Sequence, residues 1–237
     1  MGNNPTITGM TKVDEILDGE LRKGALYLIA SCPGYGKTTL ASQMAGNIAK
    51  SGKRVCFISL ELVKEQIEEL MAKQGNGEVS LFIDDSSALT TQEIKEQIIA
   101  QNADVAIIDY LGLISIEGEF KYRIQETTEI TRQLKVIAKE LQIPIVCLSL
   151  LSRREMRERG KGHIPRPKLP EDLRVFGSIE QDCDVVVFLH RDENSKDNST
   201  EIIVAKNRYG STGSIDVYCD SDKLIFTENN NLKSETK

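Results

Sequence analysis

The chain has 237 residues, 40% of them apolar and 28% charged, enough to bury the core of one ordinary globular domain. Its net charge of −6 excludes any general attraction for polyanions, so a nucleic-acid contact has to come from a local basic segment. Trp is absent, no apolar run approaches a bilayer span and no basic-plus-apolar leader opens the chain; a cytoplasmic protein with no membrane partner is expected.

Short apolar runs alternate with helical patterns, the order of an α/β domain whose mainly parallel, twisted sheet is flanked by helices. A helix carrying Val13, Ile16 and Leu17, capped by Thr11, is predicted to end near Gly19. ALYLIA (25–30) reads as a buried strand, and the helix after Lys37 turns Leu40, Met44 and Ile48 inward before stopping at Gly52. RVCFISL (54–60) is the next strand. A helix over 63–73 and a turn at Gly75-Asn76-Gly77 lead to VSLFID (79–84), and a helix over 91–101 leads to DVAIID (104–109). A long helix over 124–142, with Ile130, Leu134, Ile137, Ala138 and Leu141 at helical spacing, precedes the strand PIVCLSL (144–150).

Residues 152–177 are rich in Arg and Pro with little periodicity, and a long basic loop is predicted there. DVVVFL (184–189) resumes the sheet. EIIVAK (201–206), SIDVYC (214–219) and KLIFT (223–227), separated by turn residues, predict antiparallel strands at one edge. Residues 1–228 therefore read as a single domain and 229–237 as a polar, disordered tail. Cys32, Cys56, Cys147, Cys183 and Cys219 have no C-x-x-C spacing and mostly adjoin apolar runs. They read as small buried side chains rather than a zinc or disulfide framework.

The strand ALYLIA runs into Ser31, Cys32, Pro33, Gly34, Tyr35, Gly36, Lys37, Thr38 and Thr39, and then into a helix, the setting of a phosphate-binding loop. Gly34 and Gly36 let successive N–H groups point into one concavity, and the helix start adds its positive end. Lys37 is placed to reach the β- and γ-phosphates of a nucleoside triphosphate, and Thr38 offers a hydroxyl to Mg²⁺. Ser31 stands where the usual spacing has its first Gly. Asp109 ends a buried strand at its carboxyl edge, where ligands of open α/β sheets bind, and suits a carboxylate on the Mg²⁺ side. Glu61 closes the strand after the phosphate-loop helix. It is a general-base candidate there, and a solvated junction residue on spacing alone.

Taken together, these residues resemble the RecA-like motor domain of the replicative DnaB-type helicases, in ordered blocks from about Ile7 to Phe226. The blocks are TGMTKVDEILDG, SCPGYGKTTLA, FISLEL, FIDDSSALT, VAIIDYLGLI, RQLKVIAKELQIPIVCLSLLSR, DLRVFGSIEQDCDVVVFLHRDE and IIVAKNRYGSTG. The resemblance implies a RecA-like P-loop NTPase fold and a homo-oligomer, usually a hexameric ring. Such a ring hydrolyses ATP with Mg²⁺ at its subunit interfaces and moves 5′ to 3′ on single-stranded DNA in replication, with a loader or other replication proteins as partners.

By motif, the resemblance implies Glu61 as the catalytic carboxylate and Asp109 as the Mg²⁺-site acid. Lys206 and Arg208 match the basic pair that reaches a neighbouring subunit's γ-phosphate, where a guanidinium in trans stabilises the charge of phosphoryl transfer. DLRVFGS resembles the channel loop that grips the DNA backbone, giving Arg174 and Gly177, with Arg153, Arg154, Arg157 and Arg159 as further basic lining. Three departures accompany the likeness. No counterpart of the family's preceding domain is expected, so the motor would stand alone. The stretch between SLEL and FIDD is short, and the family's strand-ending Gln is Leu150, which has no hydrogen-bonding group. The departures keep open a second class of function, an ATP-dependent regulator or loader that switches assembly without unwinding DNA.

Overall fold

Every residue of strand β1 (Leu26–Ser31) is buried, because its side chains alternate between two cores. Leu26, Leu28 and Ala30 enter one; Tyr27 and Ile29 enter the other, the period of two expected of a strand covered on both faces. The computed structural model describes residues 5–79, 81–118, 120–169, 179–193 and 199–233, with side chains as far as Glu228.

In chain order, α1 (Thr11–Ile16) and β1 are followed by α2 (Lys37–Lys50), β2 (Val55–Ser59), α3 (Lys64–Lys73), β3 (Phe82–Asp84), α4 (Thr91–Ala100) and β4 (Val105–Asp109). A single 3-10 turn at Leu111–Leu113 leads to α5 (Arg123–Leu141) and β5 (Ile145–Leu150). Then come α6 (Arg153–Arg159), α7 (Ile179–Asp182), β6 (Val185–His190), β7 (Ser199–Asn207), β8 (Gly213–Asp220) and β9 (Ile225–Lys233). Among the described residues these strands form one sheet, ordered β3-β2-β4-β5-β1-β6-β7-β8-β9. It is parallel from β3 to β6 and antiparallel from β6 to β9, the mixed sheet that the sequence predicts.

Helices α2 and α3 cover one face with Leu40, Met44, Ile48, Ile67 and Met71. Helices α4 and α5 cover the other with Ile94, Ile98, Ile130, Leu134 and Ile137. Cys32, Cys56, Cys147 and Cys183 are buried in these layers, and burial pushes the Cys56 thiol up to about 12. Among the described residues no helix is long and apolar enough to cross a membrane.

Four local expectations change. Thr11 is the first residue of α1 rather than its cap, and Met10 precedes it without a side-chain cap. The helix-end amides of Lys12 and Val13 instead donate to the Glu228 carboxylate at 2.8 and 3.3 Å, a partner from the far end of the chain. β3 covers only Phe82–Asp84, an edge strand with β2 as its partner. The basic stretch after β5 is not all loop, since it folds into α6. Ser152 caps that helix by accepting from the Glu155 amide at 3.3 Å, Met156 is buried, and Arg154 pairs with Glu158 one turn on. Finally, β9 runs past Asn229 to Lys233, because β8 pairs with it as far as Ser214↔Lys233, and main-chain pairing does not require apolar side chains.

Candidate nucleotide site

β1 ends at Ser31, and the chain turns through residues 32–36 into α2. Gly34 and Gly36 have φ of 78° and 91°, the left-handed region that side chains disfavour. Gly36 is also closed off, since a Cβ there would lie 2.8 Å from Cζ of Phe226. Gly36 is the residue before the 14-residue helix α2, whose first-turn amides lack intrahelical acceptors and so favour an anion.

The alternation that builds the core also aims the site. Val105 and Ile107 of β4 face the α2 layer, so Asp109 emerges on the same side as α2. There Thr38 Oγ1 donates to Asp109 Oδ2 at 2.6 Å. Asp109 Oδ1 is buried and has no hydrogen-bond partner among the described residues. Burial raises the Asp109 pKa above the ordinary value; the Thr38 bond opposes the rise and the Glu61 charge adds to it.

Lys37 is itself buried, with Nζ donating to Ser31 Oγ at 3.4 Å. Burial lowers its pKa, opposed by Asp109 and Glu61. Glu61 is exposed just beyond β2, whose end is tied to β4 by the Leu60 amide donating to the Asp109 carbonyl at 2.7 Å. The residues present fit a triphosphate with a divalent cation: an amide-rich helix start, one ammonium, one hydroxyl, and a buried carboxylate oxygen that lacks a donor.

Arg153 lies on the phosphate loop. Its Nη2 donates to the Pro33 carbonyl at 2.7 Å, and its guanidinium stands over the Tyr35 ring, 5.9 Å from the centroid. Arg154 is solvent-facing and paired with Glu158, and Arg157 pairs with Glu193 at 3.2 Å, so part of the basic stretch is neutralised within the chain. Arg174 and Gly177 lie outside the described residues. Leu150 stands beside Ser31 in the register of β1 and β5. It lines a cavity of about 240 Å³ with Tyr110, Arg123, Ile124 and Thr127.

Lys206 and Arg208 lie at the other end of the sheet. β7 runs antiparallel to β6, so Lys206 is level with Val186 and Asn207 with Val185, the residues beside Leu28 and Tyr27 at the start of β1. The run from Leu28 to Ser31 therefore separates Lys206 from its own phosphate loop by about 10 Å, and the whole of β1 separates Arg208, whose amide bonds Asp184 beside Leu26, by about 16 Å at a rise of about 3.3 Å per residue. Neither side chain dangles. Lys206 Nζ donates to the carbonyls of Glu180 and Cys183, the latter at 2.7 Å. Arg208 donates to the Asp184 carboxylate at 3.2 Å and to the Gln181 carbonyl at 2.7 Å.

Sequence reasoning passed over Asp184, Phe226 and Gln43. Asp184 opens the predicted strand DVVVFL (184–189) and carries no role there, although an acid directly before a fully buried run is itself a signal. Gln43 clamps the main chain of Phe226 from both sides, accepting from its amide at 2.7 Å and donating to its carbonyl at 2.9 Å. The last strand is thereby fixed onto the phosphate-loop helix.

The sequence model of the family described as "DnaB-like helicase C terminal domain" matches residues 6–80 and 68–228. A replicative DNA helicase, DnaC, of Bacillus subtilis is 35% identical, the match covering 88% of this chain and 53% of that protein. A probable plasmid replicative DNA helicase of Chlamydia psittaci is 39% identical, over 93% of this chain and 55% of that protein. The chain thus spans about half the length of the curated relatives it matches. Among solved structures, one described as an ATPase domain superposes with a TM-score of 0.87 at 25% identity, covering 96% of this chain and 92% of that one. A DnaB-like replicative helicase, described together with its interactions with primase, gives 0.84 at 26% identity, over 95% of this chain and 62% of that one. The RecA-like ATPase fold expected from the sequence is the fold found.

Proposed function

Since the chain belongs to the DnaB-like helicase C-terminal domain family, we propose that it is an ATP-driven motor which assembles with copies of itself and moves on single-stranded DNA in replication. The observation that carries this reading is the Thr38–Asp109 pair at 2.6 Å, with one buried Asp109 oxygen left without a partner beside the phosphate loop. Bound Mg²⁺ would neutralise charge on the phosphate oxygens.

This chain's residues have separable tasks in that reading. Amides around Gly34–Thr39 hold the phosphates, Lys37 sets the ammonium against the β- and γ-oxygens, and Thr38 with Asp109 holds the cation. Glu61, exposed at the rim, takes the proton of the attacking water. Arg208, with Lys206, serves the site of a neighbouring copy, because the whole of β1 lies between it and its own loop. The DNA track is assigned to the segment containing Arg174 and Gly177 with the exposed Arg154, the direction is 5′ to 3′, and the ring has six subunits.

ATPase rate with and without single-stranded DNA, read beside sizing in ATP and Mg²⁺, tests the proposal. DNA-stimulated turnover by an oligomer supports it. A protein that retains no ATP with Mg²⁺ overturns it. One observation favours a second reading, an ATP-dependent regulator or loader: Leu150, between the phosphate loop and the adjoining cavity, has no polar atom with which to report the nucleotide's state. An oligomer that turns over ATP indifferently to DNA is the outcome that reading expects.

A further inference from the structure

Asp184 is 1% exposed, yet its carboxylate is surrounded by donors drawn from three distant parts of the chain. Oδ2 accepts from the Leu26 amide at 2.8 Å, at the foot of β1, and from Lys135 Nζ of α5 at 2.6 Å. Oδ1 accepts from Arg208 Nη1 at 3.2 Å, and the Asp184 carbonyl accepts from the Arg208 amide at 3.0 Å. The neighbouring carbonyls of Glu180, Gln181 and Cys183, at the end of α7 where helical partners run out, take the remaining contacts of Lys206 and Arg208. Two cations are therefore held side by side on one short segment. The Lys206 ammonium is pushed below its ordinary pKa first by burial and then by Arg208.

We infer that Asp184, with Lys135 balancing its charge, is a positioning residue: it presets the Arg208 guanidinium that is offered to the neighbouring subunit's nucleotide. The inference rests on the trans-acting role proposed for Arg208. Its geometric basis is the division of the guanidinium. Of its five N–H groups, the bonds to Asp184 and Gln181 occupy one on each terminal nitrogen and leave three. The side chain is 48% exposed, so a tethered guanidinium with N–H groups to spare remains open to solvent. A guanidinium tethered in this way loses little freedom when it meets a phosphate, and that saving appears in turnover rather than in ATP affinity. Lys135 has a further purpose here. A lone buried carboxylate facing one exposed Arg is poorly compensated, and the ammonium at 2.6 Å adds a second opposite charge on the oxygen that Arg208 does not use.

Asp184→Asn is the direct test, and Asp184→Asn/Lys135→Met is the companion that removes one charge of each sign should the single variant fold poorly. Both are expected to bind ATP with Mg²⁺ within about twofold of the parent and to lose kcat at least tenfold with KM little changed. The deciding measurement mixes subunits before assembly. Lys37→Ala chains have no working phosphate loop but carry an intact Arg208, so they should restore turnover to Asp184→Asn chains above the sum of the two alone. Mixing Lys37→Ala with Arg208→Ala is the control.

If the control pair recovers turnover and the Asp184→Asn pair does not, Asp184 serves its own subunit's fold or site, and the inference is overturned. Parental kcat in the folded companion variant overturns it equally. If neither pair recovers, Arg208 does not act in trans, and the proposed motor geometry falls together with the inference.

Discussion

Thr38 and Asp109, 71 positions apart, meet at 2.6 Å with the hydroxyl donating to one carboxylate oxygen while the other is buried without a partner among the described residues. The contact follows from two periodicities. β4 sends odd-numbered side chains toward α2, and the phosphate loop sets Thr38 at the second position of that helix. If the pair holds the cation as proposed, folding assembles it in advance and leaves one acceptor without a partner among the described residues.

That arrangement makes Thr38→Val costly beyond the lost ligand. Without the hydroxyl, both Asp109 oxygens are buried and unbonded, and a stability loss of about 1–3 kcal/mol is expected in urea unfolding of the nucleotide-free protein. Thr38→Ser should lose much less, and adding Asp109→Asn to Thr38→Val should recover part of the deficit. A Thr38→Val protein as stable as its parent would show that the hydrogen bond carries no weight.

The raised pKa of Asp109 gives two pH effects of opposite sign. The folded carboxyl holds its proton more tightly than the unfolded one, at about 3.9. Its contribution to stability is therefore full below that value and is lost as pH rises through the folded pKa. If Asp109 holds Mg²⁺ as proposed, binding of Mg²⁺ with nucleotide needs the ionised form, so affinity should fall on acidification through the same window, starting above the ordinary aspartate range. Asp109→Asn, which cannot titrate, serves as the reference for both measurements. Wild-type and Asp109→Asn affinities that weaken in parallel with acid would assign the titration to other groups.

The phosphate loop was legible because its signal is local: a buried strand, two glycines needing positive φ, and a helix start within a few residues. Asp109 was legible through strand alternation. Helix α6 was not, because Met156 alone is buried among its residues and the Ser152 cap carries the rest, too little for a periodic pattern to register. The polar half of β9 was read as tail because its pairing comes from the main chain of β8. Asp184 and Glu228 escaped notice for a shared reason. Their partners, Leu26, Lys135 and Arg208 for one and the α1 amides for the other, lie tens to hundreds of residues away, and no window of sequence holds both sides of those bonds.

Lys37→Ala and Arg208→Ala separate binding from turnover. Lys37 is buried against Ser31 within the loop itself, so its loss should abolish hydrolysis and weaken ATP retention together. Arg208 stands at the opposite end of β1. Arg208→Ala should keep ATP binding nearly intact while kcat falls by roughly three orders of magnitude or more, the range for a guanidinium supplied in trans. Equilibrium binding of a fluorescent ATP analogue, measured beside steady-state turnover, distinguishes the two patterns. Unchanged kcat in Arg208→Ala would remove that residue from the chemistry.

Leu150→Gln addresses the link between nucleotide and DNA. Leu150 is half-buried at the end of β5, level with Ser31, and the Leu151 amide donates to the Ser31 carbonyl at 2.8 Å. On its other side lies the cavity lined by Tyr110, Ile124 and Arg123. A side chain here stands next to the start of the phosphate loop and lines one cavity with Tyr110, the residue after Asp109, but a Leu transmits only packing. Gln brings one acceptor and two donors to the same place, at a stability cost of about 1–2 kcal/mol for exchanging apolar contact with a partly satisfied amide. If this position limits coupling, Leu150→Gln should raise DNA stimulation of ATPase severalfold while the DNA-free rate stays within about twofold. Leu150→Met, similar in volume and without polar hydrogen-bonding strength, should behave as the parent. Equal stimulation in all three proteins would place the control of coupling elsewhere in the chain.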